Sequence, residues 1–567
     1  MMKVGSKISL AVVFLIFSIF FLVGLITFKN YGIWTDEEFQ RSSGFYWLNY
    51  VLSFTPFENL KTSANEISAQ IGGFSLPSIK GNESYGIIFD LPTAFIETVF
   101  EIEDSKNYFQ FRHLLNFSIF FVSSIFFFKI LLNRFDDYYL SIIGTLFYIL
   151  SPRIYGSSFY NNKDIIFLSL LTIALYFCFK VFDKKNLKNL SIFALFGAIL
   201  VCSRILGIFL VISFLTFYLL SVFSNKKNLN SLFLISIFLI LYFFFIIIFW
   251  PYLWSDAVKN FIFAIKFFSS YPLLPKMMFN GEYISSRFLP SSYIFVWVFV
   301  TTPILYTILF VIGYFQILKR FFLRLISIKE NSIYNDFWRG INEKKDLFIF
   351  FNISVIVFFL VFYNTTLYNG WRHIYFLNVF FVYIAIIGLY QADVYLKKRY
   401  KKNFILHISV LFLITVVYKM IIYHPFQSIY FNNYFNEISH EKFEIDMGGI
   451  SGKKSLDKIL SLEQNKNLIN IGVASWLPLQ RSIKLLDKAE RERIQVVGQE
   501  YDKADYIYTN FISEVDKNIN DKYEIPSNFI KIDEYIVDGI KVYEIYKKSE
   551  TKELPDSKII SPNHYQS

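Results

Sequence analysis

Three short stretches of this chain hold residue types that could carry out chemistry together. In "IWTDEEFQRSSGFYWLNYV", residues 33–51, the carboxylates Asp36, Glu37 and Glu38 follow directly on a long apolar run. Acidic residues favour the first turn of a helix, so one reading is a solvated helix start. The other is a carboxylate at the membrane interface acting as general base toward a hydroxyl or amine acceptor. In "SPRIYGSSFYNNKD", residues 151–164, Arg153 and Lys163 stand among hydroxyls and amides, with Asn162 and Asp164 beside them. Arg suits a phosphate through paired hydrogen bonds and Lys as a point charge. The competing reading is a turn whose cations reach for the headgroup layer. Arg204 interrupts the apolar "ILVCSRILGIFLV", where a lone Arg either serves function or marks a turn between two spans.

Two further stretches add polar and aromatic groups. "YNGWRHIYF" carries Arg372 and His373, and "YHPFQSIYFNNYFNE" carries His424 and Gln427. Trp, Tyr and amides suit sugar ring faces and hydroxyls. Asp90, in "YGIIFDLPTAFIETVF", is a second carboxylate, and Arg287 a further cation. His373 with His424 lacks a third ligand at a metal-binding spacing, so no metal is expected.

The elements that must position these residues are membrane helices. Of 567 residues 54% are hydrophobic and 21% aromatic, with mean hydropathy +0.42, above the usual apolar share of a soluble domain. The net charge of +11 fits cationic cytoplasmic loops better than nucleic acid. Cys178 and Cys202 both lie in apolar stretches, offering neither a disulfide framework nor a metal site. The run 8–28 is uncharged over its length and reads as a retained first span rather than a signal peptide. Further spans are expected near 114–133, 138–151, 164–181, 189–203, 205–223, 231–250, 291–318, 347–363, 374–392 and 404–423, about eleven in all. Lys and Arg concentrate in alternate loops, including 319–346 and 393–403, which puts the N-terminus in the cytoplasm. Every chemistry-bearing stretch then falls on the extracytoplasmic face.

The expected fold is therefore a polytopic α-helical membrane protein with a small C-terminal α/β extracytoplasmic domain. The transmembrane part covers 1–435, with large external loops 29–113 and 251–290; the α/β domain covers 440–550; 551–567 reads as a flexible tail. Apolar pieces of the first loop, "FYWLNYVL" among them, are expected to lie along the membrane surface. In the C-terminal part, "NLINIGVASW", "IQVVG" and "ADYIYTN" read as strands and "LPLQRSIKLLDKAERER" as a helix. Asp538-Gly539 reads as a hairpin turn.

With "TDEE" in a large first external loop, "SPRIYGSSFYNNKD" in the second and a C-terminal external domain, the sequence resembles the integral-membrane glycosyltransferases of the GT-C fold. It is most similar to the family 39 branch, with the dolichyl-phosphate-mannose–protein mannosyltransferases and the bacterial aminoarabinose transferase type. The resemblance implies transfer of a sugar from a polyprenyl-phosphate donor to an extracytoplasmic acceptor, with no nucleotide-sugar and no required cofactor or divalent metal. It places the family's acidic loop motif on Asp36-Glu37, with Asp36 the base. Arg153, Lys163, Arg204 and Arg372 are then the donor-phosphate ligands. Asp90, Asn162, Asp164, Arg287, His373, His424 and Gln427 are the wider substrate-binding set. One base and direct displacement imply inversion at the anomeric carbon. The C-terminal region does not resemble a β-trefoil, so the acceptor stays open among lipid, glycan and protein. Two other classes stand beside this reading: a polyprenol-linked glycan flippase, which would want broken helices at matched positions, and a membrane scaffold with a partner-binding tail.

Overall fold

The computed structural model describes residues 4–69, 81–223, 229–326, 337–400, 404–432, 435, 439–464, 468–513 and 521–549. The expected tail 551–567 lies outside them. Among the described residues, eight helices are long and apolar enough to cross a membrane, and three shorter apolar helices accompany them. Long uncharged runs form helices here because each backbone donor finds its acceptor within the segment. The molecule is a polytopic helical membrane protein carrying a small C-terminal sheet domain.

The first helix is α1 (Val4–Thr27). The first long loop then folds as α2 (Glu37–Leu52), α3 (Glu58–Ala69) and α4 (Asp90–Val99). These do more than lie on a membrane surface. Phe45, Leu48, Leu52, Ala64, Ile67 and Ala94 close a small core of their own. α5 (Ser105–Phe135) starts where the Asp104 side chain accepts the Lys106 amide at 3.0 Å. It is followed by α6 (Tyr138–Ile149), α7 (Pro152–Tyr160), α8 (Asp164–Asp183), α9 (Leu187–Val201), α10 (Ile208–Phe223) and α11 (Leu229–Phe249).

The second long loop forms an amphipathic helix, α12 (Ala257–Ser269), and a hairpin of β1 (Lys276–Phe279) and β2 (Glu282–Ser285). The expected single span at 291–318 is instead two helices, α13 (Tyr293–Thr301) and α14 (Ile304–Ile326). Pro303 between them cannot donate to the helical ladder and pushes Thr302 into an extended conformation. The bundle ends with α15 (Ile341–Phe362), α16 (Asn378–Tyr400) and α17 (Phe404–Ile422).

The C-terminal domain begins at a one-turn helix, α18 (Ser439–Lys442), and its first longer helix is α19 (Gly452–Leu462). Its sheet has the order β4-β3-β5-β7-β6, built from β3 (Ile469–Val473), β4 (Ile494–Gly498), β5 (Tyr506–Thr509), β6 (Phe529–Val537) and β7 (Ile540–Lys548). β3 is parallel to both β4 and β5, and β6 and β7 form an antiparallel hairpin. That hairpin turns at Asp538 and Gly539, both at positive φ, as the sequence reading expects. The helix expected over "LPLQRSIKLLDKAERER" is two short turns, Gln480–Ile483 and Lys488–Glu492. Asp487 separates them because its side chain and that of Glu490 form a capping box that starts a new helix.

The domain is fastened to the loops of the bundle. Gly32 passes so close to the Ile450 carbonyl that a Cβ there would lie 2.1 Å from the oxygen, and Gly448 lies equally close to the Trp34 ring. Ion pairs add to this contact: Lys484 with Glu38 at 2.5 Å, Arg481 with Glu38 at 3.2 Å, Lys106 with Asp487 at 2.7 Å and Lys419 with Asp538 at 2.7 Å.

Candidate active site

Asp36 stands immediately before α2, its side chain free of any capping bond to the helix, and keeps about a third of that side chain exposed (35%). One oxygen accepts Arg372 Nη1 at 2.5 Å. Burial by itself would raise this carboxyl. The Arg372 guanidinium outweighs it, with Lys163 and Arg481 behind, and holds Asp36 below the ordinary carboxylate value. Arg372 begins the short helical turn ahead of α16 and lies over two rings, 5.2 Å from Tyr368 and 5.6 Å from Trp34. A second carboxylate, Asp164, lies 3.9 Å from the same Nη1 and pairs with Arg204. The structure thus brings Asp36, Arg372, Asp164 and Arg204 into one chain of alternating charge, drawn from four separate stretches of sequence.

The tetrapeptide Asn161-Asn162-Lys163-Asp164 sets this arrangement residue by residue. Asn161 accepts the Asp164 amide and donates to its carboxylate, both at 2.9 Å, fixing the first turn of α8. Asn162 donates to Asp90 at 3.0 Å. Lys163 makes no ion pair among the described residues and sits 3.0 Å above the Tyr85 ring. Burial, then the neighbouring Arg204, holds the Lys163 ammonium well below its ordinary value. Arg204 lies in the link between α9 and α10, just before a short helical turn, with Nη1 also donating to the His373 carbonyl at 3.3 Å.

Glu37 is directed elsewhere. It is buried, accepts the Trp34 amide at 2.6 Å and meets His113 at 3.0 Å. Burial raises its carboxyl against the pull of His113. Asp90 belongs to an adjoining buried network. It pairs with Arg112 at 3.1 Å, Arg112 pairs with Glu97 at 2.5 Å, and Glu97 with Arg41 at 2.7 Å. Burial pushes Asp90 up to about 7 despite Arg112. These groups hold α2 and α4 against α5, underneath the charge chain.

Arg153 is in a different setting from the other three cations. It lies in the first turn of α7 and is buried. Nε donates to the Tyr430 carbonyl at 3.1 Å, and the guanidinium is stacked 4.9 Å from Phe431 and 5.3 Å from Trp297. It borders a narrow cleft with room for about one water, which Arg372, Trp34, Asn161, Ser428 and Asp446 also line. His424 and Gln427 brace helix ends instead. His424 meets Asn30 at 2.8 Å, and Gln427 accepts the Tyr31 hydroxyl at 3.0 Å and donates to the Met420 carbonyl at 3.0 Å. Arg287 is exposed after β2, with its guanidinium over the Phe288 ring, and makes no hydrogen bond or ion pair with the cluster among the described residues. Among the described residues no group of three His, Cys, Asp or Glu could hold a metal ion.

Sequence reasoning did not find Trp34, Asn161, Tyr85 or Asp446. The doubled asparagine before Lys163-Asp164 was a signal for Asn161, since Asn three residues before an acidic helix start is a capping pattern. Nothing local marks Asp446, because its place at the cleft depends on how the C-terminal domain docks.

The family model for dolichyl-phosphate-mannose-protein mannosyltransferase matches residues 92–253. That stretch runs from α4 to the end of α11 and includes Arg153, the Asn161–Asp164 tetrapeptide and Arg204. No curated protein matches the chain. The match covers less than half of the chain; over that stretch, and in its helical bundle, the chain is similar to membrane glycosyltransferases of the GT-C type.

Proposed function

We propose that this protein transfers a sugar from a polyprenyl-phosphate donor to an acceptor hydroxyl or amine on the extracytoplasmic face, with inversion. The observation that carries the reading is the Asp36–Arg372 pair at 2.5 Å: a part-exposed carboxylate facing a guanidinium, in a cluster whose other cations lie in the family-matched segment. The Lys and Arg bias of the loops supports the orientation, with the Asp36 end and the C-terminal domain outside the cytoplasm.

In this reading Arg372 and Lys163, with Arg204 behind them, hold the donor phosphate. The acceptor atom forms its bond to the anomeric carbon while the carbon–oxygen bond to the phosphate breaks. Asp36 takes the acceptor proton, and the electron pair leaves with the polyprenyl phosphate, whose charge the cations stabilise. A carboxylate paired with Arg372 is a weak base. A phosphate that draws Arg372 to itself leaves Asp36 with its burial and a weaker counter-charge, which raises its proton affinity when donor is present. The chemistry requires no resident cofactor.

Transfer from radiolabelled polyprenyl-phosphate sugars by the full chain in nanodiscs tests the reading. Product formation that is lost in Asp36→Asn supports it. Movement of intact lipid-linked sugar between leaflets without bond cleavage would instead establish a flippase.

A further inference from the structure

Where α1 leaves the bundle, the C-terminal domain lies beside it and brings lysines to its end. Lys453 and Lys454 stand in the first turn of α19. Lys453 Nζ donates to the Lys29 carbonyl, in the short turn that follows α1, at 2.5 Å. Lys454 Nζ lies 3.6 Å from the centre of the Tyr535 ring and 5.8 Å from that of Phe426. Burial, then the charge of Lys454, holds His424 below its ordinary value, and His424 meets Asn30 at 2.8 Å. Lys29, Lys453 and Lys454 therefore gather around the ends of α1 and α17, which the contact between Asn30 and His424 joins.

None of the three lysines makes an ion pair among the described residues, and all are reachable: Lys29 is exposed, Lys453 and Lys454 half-buried. Asp457, one turn further along α19, acts on Lys453 and Lys454 through space without pairing with either. A fourth cation, Lys106, adds to the field at Lys453 although Asp487 pairs with it. Cations in the first turn of a helix also oppose its dipole. Asp446 already accepts the Ile450 and Ser451 amides at 3.0 and 3.1 Å, so the helix start has its cap without them. Lysines at a membrane surface often only anchor the span that carries them. Lys453 and Lys454 belong to the C-terminal domain, where no span needs anchoring. Beside the cluster, α1 turns Ile26 outward and α17 turns Tyr418 and Ile421 outward. Cations without counter-ions above exposed apolar helix sides match a lipid, its charged headgroup over its acyl chains.

We infer that Lys29, Lys453 and Lys454 form a headgroup site for an anionic glycerophospholipid, whose phosphate bridges the end of α1 to the C-terminal domain and whose acyl chains lie along the exposed sides of α1 and α17. Lys453 spends one ammonium proton on the Lys29 carbonyl and keeps two for the phosphate, and Lys454 keeps its three. Rotatable point charges suit a headgroup that arrives from a fluid bilayer better than a rigid paired fork does. The site uses none of the groups at Asp36 or Arg153, and it stands whether or not the transferase reading holds. Its effect is to tie the docking of the C-terminal domain to the charge of the surrounding lipid.

The test uses the full chain in phosphatidylcholine nanodiscs that carry a photoactivatable phosphatidylglycerol, with the adducts located by peptide mass spectrometry. Adducts are expected at the end of α1, at the end of α17 and at the start of α19. Excess unlabelled phosphatidylglycerol should remove them, while the same excess of phosphatidylcholine or of orthophosphate should not. Each lysine removed should weaken labelling there by about fivefold, the scale of one basic residue at an anionic membrane surface. The pair Lys453→Gln with Lys454→Gln should therefore lose more than either alone. Lys488→Gln with Lys503→Gln removes the same charge elsewhere in the domain and should leave these adducts unchanged. Labelling kept in the Lys453 and Lys454 double variant overturns the inference, and so does an equal loss in the Lys488 and Lys503 pair. Equal competition by phosphatidylcholine overturns the demand for an anionic headgroup, and displacement by orthophosphate overturns the assignment to a lipid. If the double variant does not fold, Lys29→Gln and Lys454→Gln are read singly, and labelling unchanged in both overturns the inference.

Discussion

The two ends of the helical bundle are built from the same residue types to opposite effect. At the end away from Asp36, Asp346 is fully buried at the start of α15. It accepts Arg134 through both oxygens at 2.7 Å, Arg320 at 2.9 Å and the Tyr383 hydroxyl at 2.9 Å. Both carboxylate oxygens are used, and three helices, α5, α14 and α16, are tied to a fourth. At the other end Asp36 keeps part of its surface open, and Arg372 Nε, Arg204 Nε and Arg153 Nη2 are buried without partners. Lys163 faces a ring. A closed network has no capacity left for a ligand, whereas an incomplete one has donors and charge that a substrate can complete. Satisfaction of hydrogen bonds, more than the presence of charge, separates the closed end from the one we propose carries the chemistry.

The sharpest way to break this comparison is to neutralise one carboxylate at each end. Asp36→Asn should cost about 10²–10⁴ in turnover, the range for a positioned acid or base, with the thermal midpoint close to wild type. Asp346→Asn should do the reverse. It strands two cations in a buried site, so the loss is in folding, about 3–5 kcal/mol as for other broken buried pairs. Activity measured per folded molecule should change little. If Asp36→Asn unfolds the protein and Asp346→Asn stops turnover in a folded one, the assignment of the two ends is inverted.

Next come the cations proposed to hold the donor phosphate. A charge-assisted hydrogen bond contributes roughly 1.5–3 kcal/mol, so Lys163→Ala and Arg372→Ala should each weaken productive donor use by about tenfold to a hundredfold. Lys129→Ala, on the α5 face and near the opposite end, should leave donor kinetics alone. Steady-state rates with polyprenyl-phosphate sugar varied at fixed acceptor decide between them. Equal losses for all three would mean a general effect of surface charge on the lipid.

Much of this contrast was legible in the sequence. Long apolar runs between charge-bearing loops gave the helices and their register, because the bilayer demands that pattern whatever the tertiary packing. Asp36, Lys163, Arg204 and Arg372 were legible for a related reason: a charge beside an apolar run needs a purpose. Glu37 and Asp90 looked equivalent to Asp36 in the chain, yet His113 and Arg112 on α5 draw them into a buried brace. A partner far away in sequence decided each case. The break at Pro303 was visible as a residue, but hydropathy averaged across it. The wall that residues 445–447 give to the cleft could not be read at all, since docking of a domain leaves no periodicity.

The pH dependence should follow the Asp36–Arg372 pair. The folded-state carboxyl lies below its ordinary 3.8, held there by Arg372. The stabilisation from this pair is therefore present above that ordinary value and lost as pH falls through the lower folded value. For the free enzyme, the acid limb of kcat/KM should lie below the ordinary carboxylate range. Arg372→Gln removes the largest opposing charge and leaves burial in place, so the limb should move to higher pH, whatever the absolute rate. An acid limb that stays put in Arg372→Gln would mean that the guanidinium does not set the ionisation of Asp36.

The smallest effect expected concerns the link between the C-terminal domain and the base. Glu38 lies two residues after Asp36, and it takes Lys484 at 2.5 Å and Arg481 at 3.2 Å, while Arg481 also reaches the Thr35 hydroxyl at 3.4 Å. These side chains are about a quarter to a third exposed, where a single ion pair contributes little to stability. Their value is geometric, because they flank the turn that presents Asp36. Arg481→Glu puts two like charges together at that turn and should slow turnover by about threefold to tenfold, with KM for donor unchanged, on the scale of one partly screened contact. Glu38→Arg alone should do similar harm. Combining the two restores an opposite-charge pair in the same place and should recover most of the rate. Recovery in the double variant marks a positioning contact between the domain and the base. Losses that simply multiply would mean that each residue acts separately and that the domain does not hold Asp36 through Glu38.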